Sequence, residues 1–162
     1  MNIAALIAWL VTAVGGFYLL GTWLARGGVR QQQTRTSRFP APVIFGHFLL
    51  AAAGLVVWII FVAVGKTPLA WAAFVILLPV ALLGFTMFAR WINVYRDADG
   101  GDRRAASGPA RPVAAGDPRA ATVTAEAEAV PAERHLPAAV VMAHGLLAVT
   151  TLVLVLLAAI GI

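Results

Sequence analysis

Along the 162-residue chain, long apolar runs alternate with short polar breaks. Apolar residues gather in four blocks, at about residues 3–25, 41–64, 68–89 and 137–161, and none of these blocks contains Asp, Glu, Lys or Arg. Each block reaches the roughly 20 residues that a helix needs to cross the hydrocarbon core of a bilayer. The pattern therefore predicts an all-α membrane protein, an up-and-down bundle of four transmembrane helices. Residues 1–96 hold the first three helices, 97–134 form a disordered linker, and 135–162 hold the fourth helix, all within one membrane domain.

Composition supports a bilayer as the solvent. With 61% hydrophobic and 12% charged residues and a mean hydropathy of +0.88, the chain has more apolar surface than a soluble core of this size could hide. The first block has no basic residues ahead of it and is longer than a signal-peptide core, so it reads as a retained helix.

Charge then orients the bundle. Arg26, Arg30, Arg35 and Arg38 lie between the first two blocks; Arg90, Arg96, Arg103, Arg104, Arg111, Arg119 and Arg134 lie between the last two. Only Lys66, in the Gly65-Lys66-Thr67-Pro68 turn, falls elsewhere. The positive-inside rule makes loops 26–40 and 91–136 cytoplasmic and both termini extracytoplasmic, in the cell (inner) membrane. Because these arginines mark helix ends rather than a separate basic face, the net charge of +5 does not point to nucleic acid. All seven acidic residues fall in the second cytoplasmic connection. Its Ala, Gly, Pro and Arg content suits a solvated tether with one short helical turn at 123–130.

Little of ordinary enzymology fits. The chain has no cysteine, which excludes disulfides, thiolate metal sites and cysteine nucleophiles. No phosphate-binding loop, nucleophile elbow or pair of intramembrane carboxylates occurs. A chain without catalytic activity of its own is expected.

Two histidines stand out. His47-Phe-Leu-Leu-Ala-Ala-Ala-Gly-Leu-Val in the second block resembles His144-Gly-Leu-Leu-Ala-Val-Thr-Thr-Leu-Val in the fourth. A fainter echo links Leu19-Leu20-Gly21 in the first block to Leu82-Leu83-Gly84 in the third. Duplication of a two-helix unit explains both, and gives two hairpins of the same orientation related by an axis along the membrane normal. Prolines precede the histidines at the cytoplasmic edge. Counted from Pro42 and Pro137, the two rings sit about 7–8 and 10 Å into their helices, at about 1.5 Å per residue.

Paired neutral imidazoles without a third protein ligand suit a haem iron, which takes axial nitrogens from both sides of its ring, better than a bare zinc ion, which needs four ligands. The layout resembles the general plan of membrane cytochromes b in its helix count and paired histidines. The function expected on these grounds is that of a small b-type haem-binding electron-transfer protein with His47 and His144 as axial ligands. Ala51, Gly54, Ala148 and Thr151 clear space for the macrocycle, and Arg26, Arg38 and Arg90 face its propionates. Its partners are the lipid bilayer and a membrane redox partner or larger complex.

The alternative is a non-catalytic structural or assembly subunit of a larger membrane complex. In that reading each histidine only bonds a neighbouring helix, through Thr22, Thr86, Thr150 or a backbone carbonyl. His135, beside Arg134, reads as an interfacial residue. Trp91 and Tyr95 fit an aromatic belt, Trp58 shares the His47 face, and Pro79 is expected to kink the third helix.

Overall fold

A computed structural model of the chain describes the backbone of residues 1–107 and 130–162, and the side chains of 1–96 and 130–162. Four long helices run up and down: α1 (Asn2–Ala25), α2 (Ala41–Val64), α3 (Thr67–Ser107) and α4 (Ala138–Ala159). They carry spans of 22 to 30 residues with mean hydropathies of 2.2 to 2.5. No more than 17% of any apolar window is buried, so most of each apolar surface, including Val14, Leu82 and Leu146, points outward. Only lipid accommodates that much outward apolar area. The chain is an integral membrane four-helix bundle.

The helix ends follow from local chemistry. α2 and α4 start directly after prolines in the extended region, Pro40 (φ −64, ψ 126) and Pro137 (φ −65, ψ 125). Proline lacks the N–H that a helix start leaves unused and disfavours helix in the residue before it, so it sets a sharp beginning. These two prolines are equivalent, each seven residues before its histidine. The match of Pro42 with Pro137 is therefore corrected: Pro42 lies inside the first turn of α2, and the difference in depth between the two rings disappears. α2 ends where Gly65 turns left-handed (φ 69) and its N–H bonds Phe61 O at 2.8 Å. That is a glycine C-terminal motif, and it lets α3 begin at Thr67.

α2 packs mainly on α3, and α4 mainly on α1, two contacts that parallel repeats make equivalent. The register of the fainter repeat differs from the Leu-Leu-Gly echo. One spacing pairs Ala5 with Ala73, Gly16 with Gly84, Phe17 with Phe85 and Trp23 with Trp91. Both members of the alanine pair and of the tryptophan pair are buried.

Two apolar clusters fill the interior. Ala5, Trp9, Trp58, Phe61, Ala70, Ala73, Leu77, Val155 and Ala159 form one toward the termini. Trp58 belongs here, its ring 6.4 Å from Trp9 and 4.8 Å from Phe61. Trp23, Phe39, Ile44, Trp91, Ala132 and Leu136 form the other, toward the arginine-bearing end. Trp91 is thus a core residue rather than part of a belt, whereas Tyr95 is exposed.

The segment assigned to a tether departs from that picture at both ends. α3 continues as helix past residue 97 to Ser107. At the other end a 3₁₀ turn, Ala132–His135, docks on the bundle. Ala132 N–H donates to Gln31 Oε1 at 2.8 Å, and Gln31 Nε2 donates to Val130 O at 3.1 Å. The carboxylate of Glu133 is fully buried; Ser37 Oγ donates to it at 3.0 Å, as does the Arg38 backbone N–H. The expected turn at 123–130 lies, apart from Val130, outside the described residues. α3 runs continuously through Pro79.

Between α1 and α2, Gly28 lies flat on the Trp23 indole, where an added Cβ would come within 2.1 Å of the ring. Gly28→Ala should therefore destabilise the bundle by about 1–3 kcal/mol, the usual cost of overpacking. Gly21→Ala, at a position with nothing within 4 Å, should not. Thermal unfolding of the two variants in one detergent checks this.

A candidate histidine site between the hairpins

His47 and His144 lie between the two apolar clusters, on α2 and α4. At about 1.5 Å per residue, seven residues from the N-capping prolines places both roughly 10 Å into their helices. The bundle brings them together: their ring centroids are 6.4 Å apart, with the planes inclined at 60°.

Each ring is held from outside by the neighbouring helix. His47 Nδ1 bonds Val80 O of α3 at 2.9 Å, and His144 Nδ1 bonds Thr12 O of α1 at 3.0 Å. A carbonyl only accepts, so Nδ1 carries the proton and Nε2 keeps a lone pair.

The reason these carbonyls are reachable lies four residues on. In a helix the C=O of residue i bonds the N–H of residue i+4, and here residue i+4 is Gly84 for Val80 and Gly16 for Thr12. Without a side chain at that position, the imidazole can lie against the helix and use the second lone pair of the carbonyl. The fit is close: an added Cβ would lie 3.3 Å from His47 Cε1 at Gly84, and 3.2 Å from His144 Cε1 at Gly16.

The threonine hydroxyls considered as partners are engaged elsewhere. Thr22, Thr86 and Thr150 donate to Tyr18 O, Leu83 O and Leu146 O of their own helices.

Of the small residues expected to clear space, Ala51 and Ala148 sit half-buried one turn beyond the histidines. Gly54 does not clear space. An added Cβ there would lie 3.1 Å from the Trp9 ring and 3.2 Å from Ile76 Cγ2, so its role is close helix packing. Thr151 of α4 is buried against α1, its hydroxyl 3.4 Å from that of Thr12.

The symmetry also breaks beside the rings. Phe17 and Phe48 meet edge-to-face at 5.3 Å between α1 and α2. Their equivalents are Phe85 and Gly145, so no aromatic pair can close the α3–α4 side.

At the arginine-bearing end, Arg38 and Arg90 come together, with Arg90 Nη1 donating to Arg38 O at 2.9 Å. They line a pocket of about 540 Å³ with Gln32, Arg35, Ser37, Pro40 and Asn93. Arg26 is exposed at the end of α1 and does not line this pocket. His135 is exposed in the 3₁₀ turn.

Gly16, Gly84 and the carbonyls of Thr12 and Val80 are site components that reasoning from sequence missed. The shared spacing of Gly16 to Trp23 and of Gly84 to Trp91 is the signal that could have exposed them. Glu133 was also missed, and a lone acid beside Arg134 carries no such signal.

Among the described residues, no group of three or more His, Cys, Asp or Glu converges as a metal site. The chain matches no protein family, no curated protein and no solved structure.

Nitrogen-15 NMR of the histidine-labelled protein without added ligand should show both intramembrane rings as the neutral Nδ1–H tautomer. An Nε2–H signal from either ring would contradict the carbonyl bonds.

Proposed function

We propose that the chain is a small membrane b-type haem protein that transfers single electrons, with His47 and His144 as the axial ligands of one iron. The spacing of the rings carries this reading. His47 and His144 come from α2 and α4 with ring centroids 6.4 Å apart, so the two rings could hold one metal centre between them. A haem macrocycle supplies the other four ligands itself, so two histidines suffice where zinc would want more.

The surroundings have matching roles. Val80 O and Thr12 O fix each tautomer with Nε2 free to ligate, and a bond from Nδ1–H to a carbonyl raises the basicity of a ligating imidazole. Ala51 and Ala148 keep the side chains one turn beyond the rings small. The apolar clusters above and below keep water away, which tunes the potential of a bound haem. When bound, haem supplies a one-electron Fe(III)/Fe(II) couple, and the chain orients it and insulates it from water. The other half of the reaction belongs to a redox partner in the membrane.

A structural subunit is the second reading. The histidine–carbonyl bonds favour it in one respect: they tie α2 to α3 and α4 to α1 with no ligand needed.

Protein purified from haem-replete cells should be red, carry about one haem per chain and show a Soret band that shifts on reduction. His47→Ala and His144→Ala should each lose the six-coordinate spectrum, and added imidazole should restore it in His47→Gly. Colourless wild-type protein with normal folding would leave the structural reading.

The arginine-bearing end is proposed to face the cytoplasm. Since the chain has no cysteine, single substitutions give a clean test with a membrane-impermeant thiol reagent. On intact cells stripped of their outer layers, Lys66→Cys should label and Gln33→Cys should label only after lysis.

A further inference from the structure

The pocket lined by Arg35, Arg38 and Arg90 is not absorbed by the haem reading. Register along the helices places Ile44 and Val141 one turn, and Trp23, Trp91, Phe39 and Leu136 about two turns, from the histidine layer toward the arginine-bearing end. This apolar cluster separates the rings from the pocket. Of the pocket residues only Ser37 is buried, while Arg35, Arg38, Arg90 and Asn93 are exposed. The pocket therefore opens to the outside of the bundle.

Its chemistry is one-sided. Three guanidinium groups, two amides and a hydroxyl line it, with no Asp or Glu among the described lining residues, while the buried Glu133 carboxylate behind it is bonded by the Ser37 hydroxyl and the Arg38 N–H. Guanidinium pairs bind phosphate oxygens in bidentate fashion. Arg35 is held at φ 56, the one non-glycine with positive φ among the described residues. Around it, Arg35 N–H bonds Gln32 O at 3.4 Å and Thr36 N–H bonds Gln31 O at 3.1 Å. Non-glycine residues at positive φ are uncommon.

Its location selects among phosphates. Arg90 and Asn93 lie near the end of the apolar span Thr67–Arg96, at the level where head groups lie. Below Asn93 on the same face of α3, at helical spacing, come Ala89, Thr86 and Leu82; all are exposed, Leu82 at 67%. An anion in the pocket with an acyl chain running down this face matches the surface from polar to apolar. A soluble phosphate would use only the upper part.

We propose that the pocket is a head-group site for one anionic phospholipid of the adjacent leaflet, whose phosphate is bound by Arg35 and Arg90. The site is independent of the haem reading and holds whether or not the histidines ligate iron. Arg90 has a second task, since it also donates to Arg38 O, so Arg90→Lys accompanies Arg90→Gln to separate loss of charge from loss of that bond.

The test uses the full chain in nanodiscs of phosphatidylcholine with one fifth phosphatidylglycerol, extracted into a mild detergent, with retained lipid counted by mass spectrometry. About one phosphatidylglycerol per chain should persist. Since a basic side chain near a membrane surface contributes on the order of 1 kcal/mol, Arg35→Gln and Arg90→Gln should each weaken retention about fivefold, and Arg90→Lys less. Arg30→Gln, in the same loop but outside the pocket, should leave it unchanged. Four results would overturn the proposal: equal retention of the two lipids; an Arg30→Gln effect as large as that of Arg90→Gln, meaning diffuse charge; displacement by millimolar inorganic phosphate, meaning a soluble anion; or loss of the lipid on haem loading, meaning that cofactor carboxylates hold the pocket. Thermal unfolding of each variant confirms that it is folded.

Discussion

An imidazole N–H inside hydrocarbon has no water to bond, so it needs an acceptor from the protein itself. Here the acceptor is a helix carbonyl already bonded within its own helix, and reaching its second lone pair requires the two helices to touch. That requirement puts a glycine four residues after each accepting carbonyl, at Gly84 and Gly16. It brings α2 against α3 and α4 against α1, and it fixes which ring nitrogen remains free. The depth, orientation and chemical state of both histidines follow from one hydrogen bond made twice.

Repetition of that device gives the bundle its approximate twofold character, and the departures from symmetry mark what each half does alone. The N-capping prolines, the histidines, the glycines and Trp23 with Trp91 obey the symmetry. Around the rings, Phe48 faces Phe17 on one side, while glycine takes the equivalent place on the other. At the arginine-bearing end, one half has an open basic pocket. The other has the docked 3₁₀ turn, with the Glu133 carboxylate satisfied by Ser37 and the Arg38 backbone. A buried carboxylate is tolerated because each of its oxygens accepts a hydrogen bond. It holds the end of the long connection against the loop between α1 and α2.

Much of the fold was legible because a bilayer imposes length and composition on anything that crosses it. The four blocks, the tight Gly65 turn and the meeting of the two histidines could all be read from residue order. Finer assignments failed where packing decided them. Gly54 looked like clearance for a ligand, but Trp9 and Ile76 fill its face. Trp91 looked interfacial, yet it faces inward with Phe39 and Ile44. The Leu-Leu-Gly echo misled because leucine and glycine recur by chance in any membrane helix, whereas the buried alanine and tryptophan pairs and the glycine pair against the histidine rings are constrained by contact.

The amino-acid sequence by itself determined that this protein is a membrane bundle of four helices carrying two related histidines, because hydropathy, helix length and proline or glycine punctuation act locally and need no knowledge of neighbours. Only the tertiary structure decided that the rings sit 6.4 Å apart, that backbone carbonyls and not threonine hydroxyls hold them, and that Glu133 closes the arginine-bearing end. Those outcomes depend on which faces of four nearly uniform apolar helices meet. That is set by small differences in side-chain volume across the bundle, which no single segment reveals.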